Sequence, residues 1–219
     1  SMRDDLIYSL DPVQWAKEVL GFHPDPWQAD LLRSRSRKII LNCSRQSGKS
    51  TTCAALGLHE SIYRRPSFGL VIAPSQDQSA ELMMKFDEFR GAVELPSDYL
   101  SNDTKLAVKF ANGNRFVARP GSEKTARSFS AVTLLLEDEA ARVLDDLYNA
   151  VRPMLAVSNG RHIIMSTPFG RRGHFFKIWD KERDLWESYE IPAEQCPRIT
   201  PEFLAEEKRT NPWFEQEYH

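Results

Sequence analysis

The stretch "NCSRQSGKS", Asn42–Ser50, decides how this chain is read. Its last residues, Gly48, Lys49 and Ser50, end it like a phosphate-binding loop. The usual pattern has a glycine five residues before the Gly-Lys pair. Cys43 stands there instead, and Arg45 adds a positive charge to the loop. Upstream lies "KIILNCS", an apolar run of strand length. Downstream lies "KSTTCAALGLHESIYR", which reads as a helix with Leu56, His59 and Tyr63 at helical spacing. Strand, loop and helix thus follow in the order the motif requires. Cys43 fits a strand end with ordinary backbone angles, and Gly48 is the position expected to need unusual backbone freedom.

Working outward, "FGLVIAP", "AVTLLLEDEA" and "RHIIMSTP" are further apolar strand runs, and "WESYEIP" is a fifth. Helical stretches separate them. "DPVQWAKEVLG" has Asp11 as a cap and Pro12 in its first turn, and "SQDQSAELMMKFDEFRG" has Ser75 as its cap and Gly91 as its stop. "DDLYNAVRPMLA" reads as a helix kinked or interrupted near Pro153, "GHFFKIWDKERD" as another, and the tail opens a last one at Thr200. Alternation on both sides of Asn112 and Gly113 predicts a hairpin. Continuous apolar strands between helices mean an α/β fold, with a mostly parallel sheet flanked by helices on both faces. The four best runs each end in a polar motif, and ligands of such sheets bind beyond the carboxyl ends of the strands.

With 219 residues and 41% hydrophobic composition, including 12 Phe and 5 Trp, the chain suits one large domain or a domain with a small appendage. No stretch is long and apolar enough to cross a bilayer, and no signal-peptide pattern opens the chain. Ser1 and Met2 read as the remnant of an expression tag. Cysteines at 43, 53 and 196 are too few and too scattered for a disulfide framework or a cysteine zinc site, so the expectation is a reduced, intracellular protein. Cys43 and Cys53 are expected as small buried hydrophobes. A net charge of −2 argues against a strong stand-alone DNA binder but not against a local basic patch. "RSRSRK", Arg33–Lys38, and the pair Arg171 and Arg172 are the candidate patches.

The chemistry follows from these positions. Backbone N–H groups of residues 45 to 50 are placed to wrap phosphates at a helix start, with Lys49 reaching the β- and γ-phosphates and the Ser50 hydroxyl on Mg²⁺. Ser44, Arg45, Gln46, Ser47, Gly48, Lys49, Ser50 and Thr51 make up the candidate loop set. Asp138 is suited to hold Mg²⁺ and Glu139 to polarise an attacking water. Glu137 leaves the register ambiguous, and the following Ala140 and Ala141 favour 138 and 139. Ser166 and Thr167 end a buried strand, where their hydroxyls either sense the γ-phosphate or cap a plain turn. Gln28 has an amide that matches the adenine edge, and Trp27 either packs near the base or fills the core. The histidines at 23, 59, 162, 174 and 219 show no metal-ligand spacing and read as ordinary.

Together, "PDPWQADLL", "CSRQSGKSTT", "VIAPSQDQS", "LLLEDEAAR" and "IIMSTPFGRRGHFF" resemble, in that order, the large subunit of tailed-phage terminases, which are viral DNA-packaging motors. The resemblance covers the chain from about Asp11. It implies an ASCE-type P-loop NTPase that binds ATP and Mg²⁺ and couples hydrolysis to translocation of double-stranded DNA into a procapsid. It makes Gln28 the adenine reader, Arg45 the loop arginine, Lys49 and Ser50 the phosphate lysine and magnesium serine, Asp138 the metal carboxylate and Glu139 the catalytic glutamate. Ser166, Thr167 and Pro168 resemble the motif that couples hydrolysis to movement. Arg127 resembles an arginine that reaches a neighbouring subunit's ATP, although Ser128 stands where the family usually has glycine. The partners implied are DNA, the capsid portal, a small terminase subunit and further copies in a ring, in the host cytoplasm and at the portal, without a membrane. Residues 1–180 are then the ATPase core with an N-terminal helical segment. Residues 181–219 are an extension or small lid leading toward an absent nuclease domain, so no DNA cleavage is expected of the chain. A helicase-like ATPase and a non-hydrolysing nucleotide-gated scaffold are the rival readings.

Overall fold

The strand that feeds the loop is β1 (Lys38–Cys43). The computed structural model describes residues 2–96, 98–120 and 129–214. The other strands are β2 (Phe68–Ala73), β3 (Leu100–Thr104), β4 (Ala107–Phe110), β5 (Arg115–Pro120), β6 (Leu134–Asp138), β7 (Arg161–Ser166) and β8 (Glu187–Ile191). Among the described residues they form one 8-stranded sheet in the order β3-β4-β5-β2-β6-β7-β1-β8. From β5 to β8 every pairing is parallel, while β3 and β4 extend the sheet antiparallel. Every residue of β2, β6 and β7 is buried. That is why these strands read as unbroken apolar runs rather than as alternation.

The helices are α1 (Met2–Leu10), α2 (Pro12–Glu18), α3 (Pro26–Arg33), α4 (Lys49–Tyr63), α5 (Gln76–Ala92), α6 (Asp145–Ser158), α7 (Gly173–Lys181) and α8 (Pro201–Thr210). One face of the sheet presents Ile39, Leu41, Val71, Leu134, Leu136, Ile163 and Met165 to a large core shared with α2, α3, α4 and α5. The opposite face packs on α6 and α7 through two smaller clusters, one around Leu70, Leu135 and Val151 and one around Ile40, Ile164 and Phe175. On the larger face, glycines let α4 approach the sheet closely. A Cβ on Gly57 of α4 would lie 2.4 Å from the Phe116 ring, and one on Gly69 of β2 would lie 2.3 Å from it. That ring stacks on Phe86 of α5 at 4.2 Å. A buried ion pair ties α4 to β7: Arg161 donates to Glu60 at 2.8 Å and also to the carbonyls of Ser34 and Ser36.

The expected caps are present. Asp11 accepts from Val13 N, Ser75 from Gln78 N and Thr200 from Phe203 N. Some local expectations need correction. Helix α5 runs through Gly91 to Ala92. Helix α6 contains Pro153 without an interruption. Pro153 and Asn149 are both exposed, so the carbonyl that loses its amide partner is open to water. Strand β3, "LSNDT", and helix α1 escaped the sequence reading. The first is too polar to show strand alternation, and the second buries none of its residues. Among the described residues no helix is long and apolar enough to cross a membrane.

Candidate nucleotide site

The loop leaves β1 at Cys43, which is buried and still in the strand, so the unusual residue sits where ordinary backbone suffices. Gln46 and Gly48 take left-handed backbone, with φ of 59° and 91°, and Gly48 caps the start of α4. Position 48 therefore needs glycine twice over. A Cβ there would be strained by its φ and would meet the Gln28 amide nitrogen at 2.6 Å. Lys49 opens the helix, with Ser50 and Thr51 following. The free N–H groups of a helix start and its dipole favour an anion at this end.

Strand β7 lies between β1 and β6, and the carboxyl ends of all three meet at the loop. Their polar residues touch there. Lys49 Nζ lies 3.0 Å from Glu139 Oε1. Ser50 Oγ donates to Asp138 Oδ2 at 3.3 Å. Thr167 Oγ1 donates to Glu139 Oε2 at 3.2 Å. Ser166 Oγ accepts from Ala141 N at 3.1 Å and donates to the Thr167 carbonyl at 2.7 Å, which locks the end of β7 to the turn after β6. Glu139 itself has a φ of 49°, so the chain leaves the strand and swings its carboxylate over the loop. Burial pushes the Asp138 carboxyl up to about 6, against the pull of the Lys49 ammonium. Burial also pulls Lys49 down, but Glu139 and Asp138 outweigh it and hold the ammonium above its usual value.

The register between Glu137 and Asp138 is resolved by alternation. Asp138 faces α4 and the loop. Glu137 points to the opposite face, where it is buried against His162 and His174. Gln28 is buried, and its carbonyl oxygen accepts from Asp25 N at 2.8 Å in a capping box while its amide nitrogen faces Gly48. Trp27 is half-buried against the large core. Arg45 is exposed on the loop. Arg127 lies outside the described residues. Cys43 and Cys53 are buried free thiols, and burial pushes the Cys43 thiol up to about 12.

Two contributors escaped the sequence reading. Arg198, in the segment after β8, donates to the Ser47 carbonyl at 2.7 Å and pairs with Asp25 at 2.8 Å, so it braces the back of the loop. No local pattern announces an arginine that acts across such a sequence distance. The second is the pair His162 and His174, which no metal-like spacing would flag because both serve one carboxylate.

The family model described as "Terminase large subunit, T4likevirus-type, N-terminal" matches residues 40–218. The terminase large subunit of Thermus virus P23-45 is 28% identical over 171 residues, which are 70% of this chain and 35% of that one. This chain therefore spans about a third of the length of the curated terminases it matches. The solved large-terminase ATPase domain of Thermus phage P74-26 superposes with a TM-score of 0.82 at 22% identity, covering 95% of this chain and 98% of that one. An ATP-dependent rRNA helicase of Pyricularia oryzae, RRP3, is 31% identical over 154 residues, which are 62% of this chain and 28% of its own.

Proposed function

The chain belongs to the terminase large-subunit family as its N-terminal ATPase domain, and on that premise we propose that it is the ATP-hydrolysing part of a phage DNA-packaging motor. Homology to ATP-dependent motors implies nucleotide binding. In this reading the nucleotide is ATP, with its phosphates on the loop from Ser44 to Thr51 and its adenine near Gln28. The observation that carries the reading is the meeting of loop and acidic strand: Lys49 on Glu139 and Ser50 on Asp138.

Each side chain then has a physical task. Lys49 places a cation against the β- and γ-phosphates, where negative charge develops in the transition state. To do so it leaves Glu139, which frees that carboxylate to orient and deprotonate water. Thr167, already bonded to Glu139, holds it at the γ-phosphate end, and Ser166 relays any shift of that turn to the end of β7. The Ser50 hydroxyl and Asp138 carboxylate are hard oxygen donors of the kind Mg²⁺ prefers, and they already lie side by side. When bound there, the ion would neutralise charge on the phosphate oxygens. Arg45 and Arg127 are the two candidates for added positive charge at the γ-phosphate, the first within its own site and the second toward a neighbouring copy.

Residues 1–180 form the core with its helical N-terminal segment in this reading, and 181–219 an extension or lid rooted in the sheet by β8. Hydrolysis would drive double-stranded DNA into a procapsid, in a ring of copies at the portal in the host cytoplasm, with a small terminase subunit as partner. The deciding experiment is phosphate release by the purified chain with and without magnesium, alongside Lys49→Ala. Magnesium-dependent release lost in the variant is expected. Equal rates in parent and variant would remove the loop from the chemistry. A nucleotide-gated scaffold predicts binding without release.

A further inference from the structure

The layer between the sheet and helices α6 and α7 is largely apolar, but it holds one cluster of buried ionisable side chains. Glu137 of β6 and His162 of β7 project there, and His174 of α7 meets them. All three side chains are 5% exposed or less. Glu137 Oε1 lies 2.5 Å from His174 Nε2, and its other oxygen lies 3.1 Å from His162 Nε2. The second ring nitrogen of His174 lies 3.2 Å from Asp145 Oδ1, at the start of α6, and the same oxygen accepts the backbone N–H of His174 at 2.7 Å. Tyr148 of α6 stacks on both imidazoles, at 4.5 Å from His174 and 5.9 Å from His162. Trp186 closes the far side of His162, edge-on at 5.6 Å.

This arrangement has its own logic. A carboxylate only accepts, so each histidine must donate to it. His174 stands between two carboxylates, which calls for a proton on each of its nitrogens, and His162 needs one proton, on Nε2. The bonded groups thus carry a net charge near that of one carboxylate, shared across four elements, β6, β7, α7 and α6. A buried polar network that costs this much desolvation is more than filler, because leucine would pack the same layer. Its location supplies the reason. Glu137 immediately precedes Asp138 and Glu139, and α7 begins just beyond the loop that carries Ser166 and Thr167.

We propose that Glu137, clamped by His162 and His174, is a positioning residue that sets Asp138 and Glu139 over the loop, with His174 as the strut joining the acidic strand to the start of α7. The proposal rests on the reading of the loop and acidic strand as an ATP site. Glu137 anchors the last turn of backbone before the chain enters the left-handed conformation at Glu139. Beyond that anchor, the turn after β6 meets this layer through Ala140, in one apolar cluster with Phe175, and through Ala141 on Ser166. The same clamp makes α7 respond when the tip moves, because His174 and Phe175 ride together. Helix α7 is therefore placed to carry a change at Glu139 outward along a route separate from Thr167.

The test compares Glu137→Leu, Glu137→Gln and His174→Leu with the parent, with Lys49→Ala as reference. Melting temperature, affinity for a fluorescent ATP analogue and saturating turnover are measured for each. A misplaced catalytic group costs turnover rather than binding, so Glu137→Leu should lose roughly ten- to a hundredfold in kcat with affinity within about threefold. Glutamine keeps an acceptor for one histidine and offers its amide to the other, so Glu137→Gln should recover to within about fivefold of the parent. His174→Leu leaves the His162 contact intact and should lose about tenfold in kcat, which keeps the proposal testable where Glu137→Leu does not fold. Folded Glu137→Leu or His174→Leu turning over at the parent's rate would overturn the proposal, as would glutamine performing no better than leucine. If Lys49→Ala also keeps the parent's rate, the ATP-site reading itself has failed. If Lys49→Ala is dead while the clamp variants match the parent, only the positioning role falls.

Discussion

Glu139→Gln separates binding from chemistry, because Glu139 is bonded to Lys49, the group that the proposed function sets against the phosphates. The two groups lie 3.0 Å apart, with side chains only 11% and 20% exposed, so solvent screens the contact weakly. ATP must take Lys49 away from this partner. A neutral amide keeps a hydrogen bond to the Lys49 ammonium but loses the ion-pair attraction, which is about 0.2–1 kcal/mol for exposed pairs and at the upper end or above for one this little exposed. The substitution therefore relieves about 1 kcal/mol of competition, which corresponds to about fivefold tighter ATP binding. Removing a carboxylate from the neighbourhood of the γ-phosphate acts in the same direction. The amide keeps the shape of the site, since its oxygen faces Lys49 while its nitrogen can donate to the Thr167 hydroxyl. It cannot accept a proton, so turnover should fall by about 10²- to 10⁴-fold. Titration with a fluorescent ATP analogue gives the first number, and phosphate release at saturating Mg-ATP gives the second. Weaker binding than the parent would refute the competition argument. An unchanged rate would place the general base elsewhere.

Other consequences follow from the same geometry. Asp138→Asn should shift the magnesium dependence of hydrolysis to higher concentration, and a magnesium titration superimposable on the parent's would count against a metal role. Arg161→Met strips Glu60 of its buried partner and should cost about 3–5 kcal/mol in denaturant unfolding, with much of that regained when Glu60 is also replaced by an apolar residue of similar size. A loss under 1 kcal/mol would show that the pair is dispensable. Gly57→Ala gains helix propensity of about 1 kcal/mol but drives a methyl into the Phe116 ring, so a net loss of about 1–2 kcal/mol is expected, checked by the same unfolding curves. The His174 clamp also makes stability depend on pH. Burial lowers the His174 value but its bonds to Glu137 and Asp145 outweigh that and hold it above the ordinary 6.5. Its contribution is therefore complete below about 6.5 and fades as pH rises through the folded value. Glu137 is held well below the ordinary 4.5, burial being outweighed by its histidines, so its share is complete above about 4.5 and fades in acid. The melting-temperature gap between parent and His174→Gln should be widest between those limits and narrow on the alkaline side, and a pH-independent gap would contradict this.

What could be seen in the sequence was whatever repeats along one stretch of chain. The strands β1, β2, β6 and β7 are buried on both faces, so each shows as an apolar run, and each delivers its polar residue at the end where the fold places ligands. The loop was legible because Gly48, Lys49 and Ser50 are contiguous, and the position of Cys43 was legible because strand geometry asks nothing special of it. In the sequence, only the small residues Ala140 and Ala141 that follow set Asp138 apart from Glu137. Strand alternation decides the matter, and that cannot be counted until the register with β7 is known.

What stayed hidden was built by the sheet from distant parts. Arg198 reaches Ser47 only because β8 pairs beside β1 and returns the chain to the back of the loop, where Ser44 N also bonds the Ile191 carbonyl. The histidine clamp arises because β6 and β7 pair with Leu135 opposite His162, which leaves Glu137 and His162 on one face within reach of a single helix. A spacing rule looks for ligands that share an element, whereas here each element contributes one group. The consequence is directional. A glutamate in the next-to-last position of an apolar strand, just before the proposed metal and catalytic carboxylates, contradicts local hydrophobic preference, and here something across the fold meets it. Here two histidines meet it, so the one residue that blurred the acidic motif in the sequence is the one that ties the motif to the far layer of the protein.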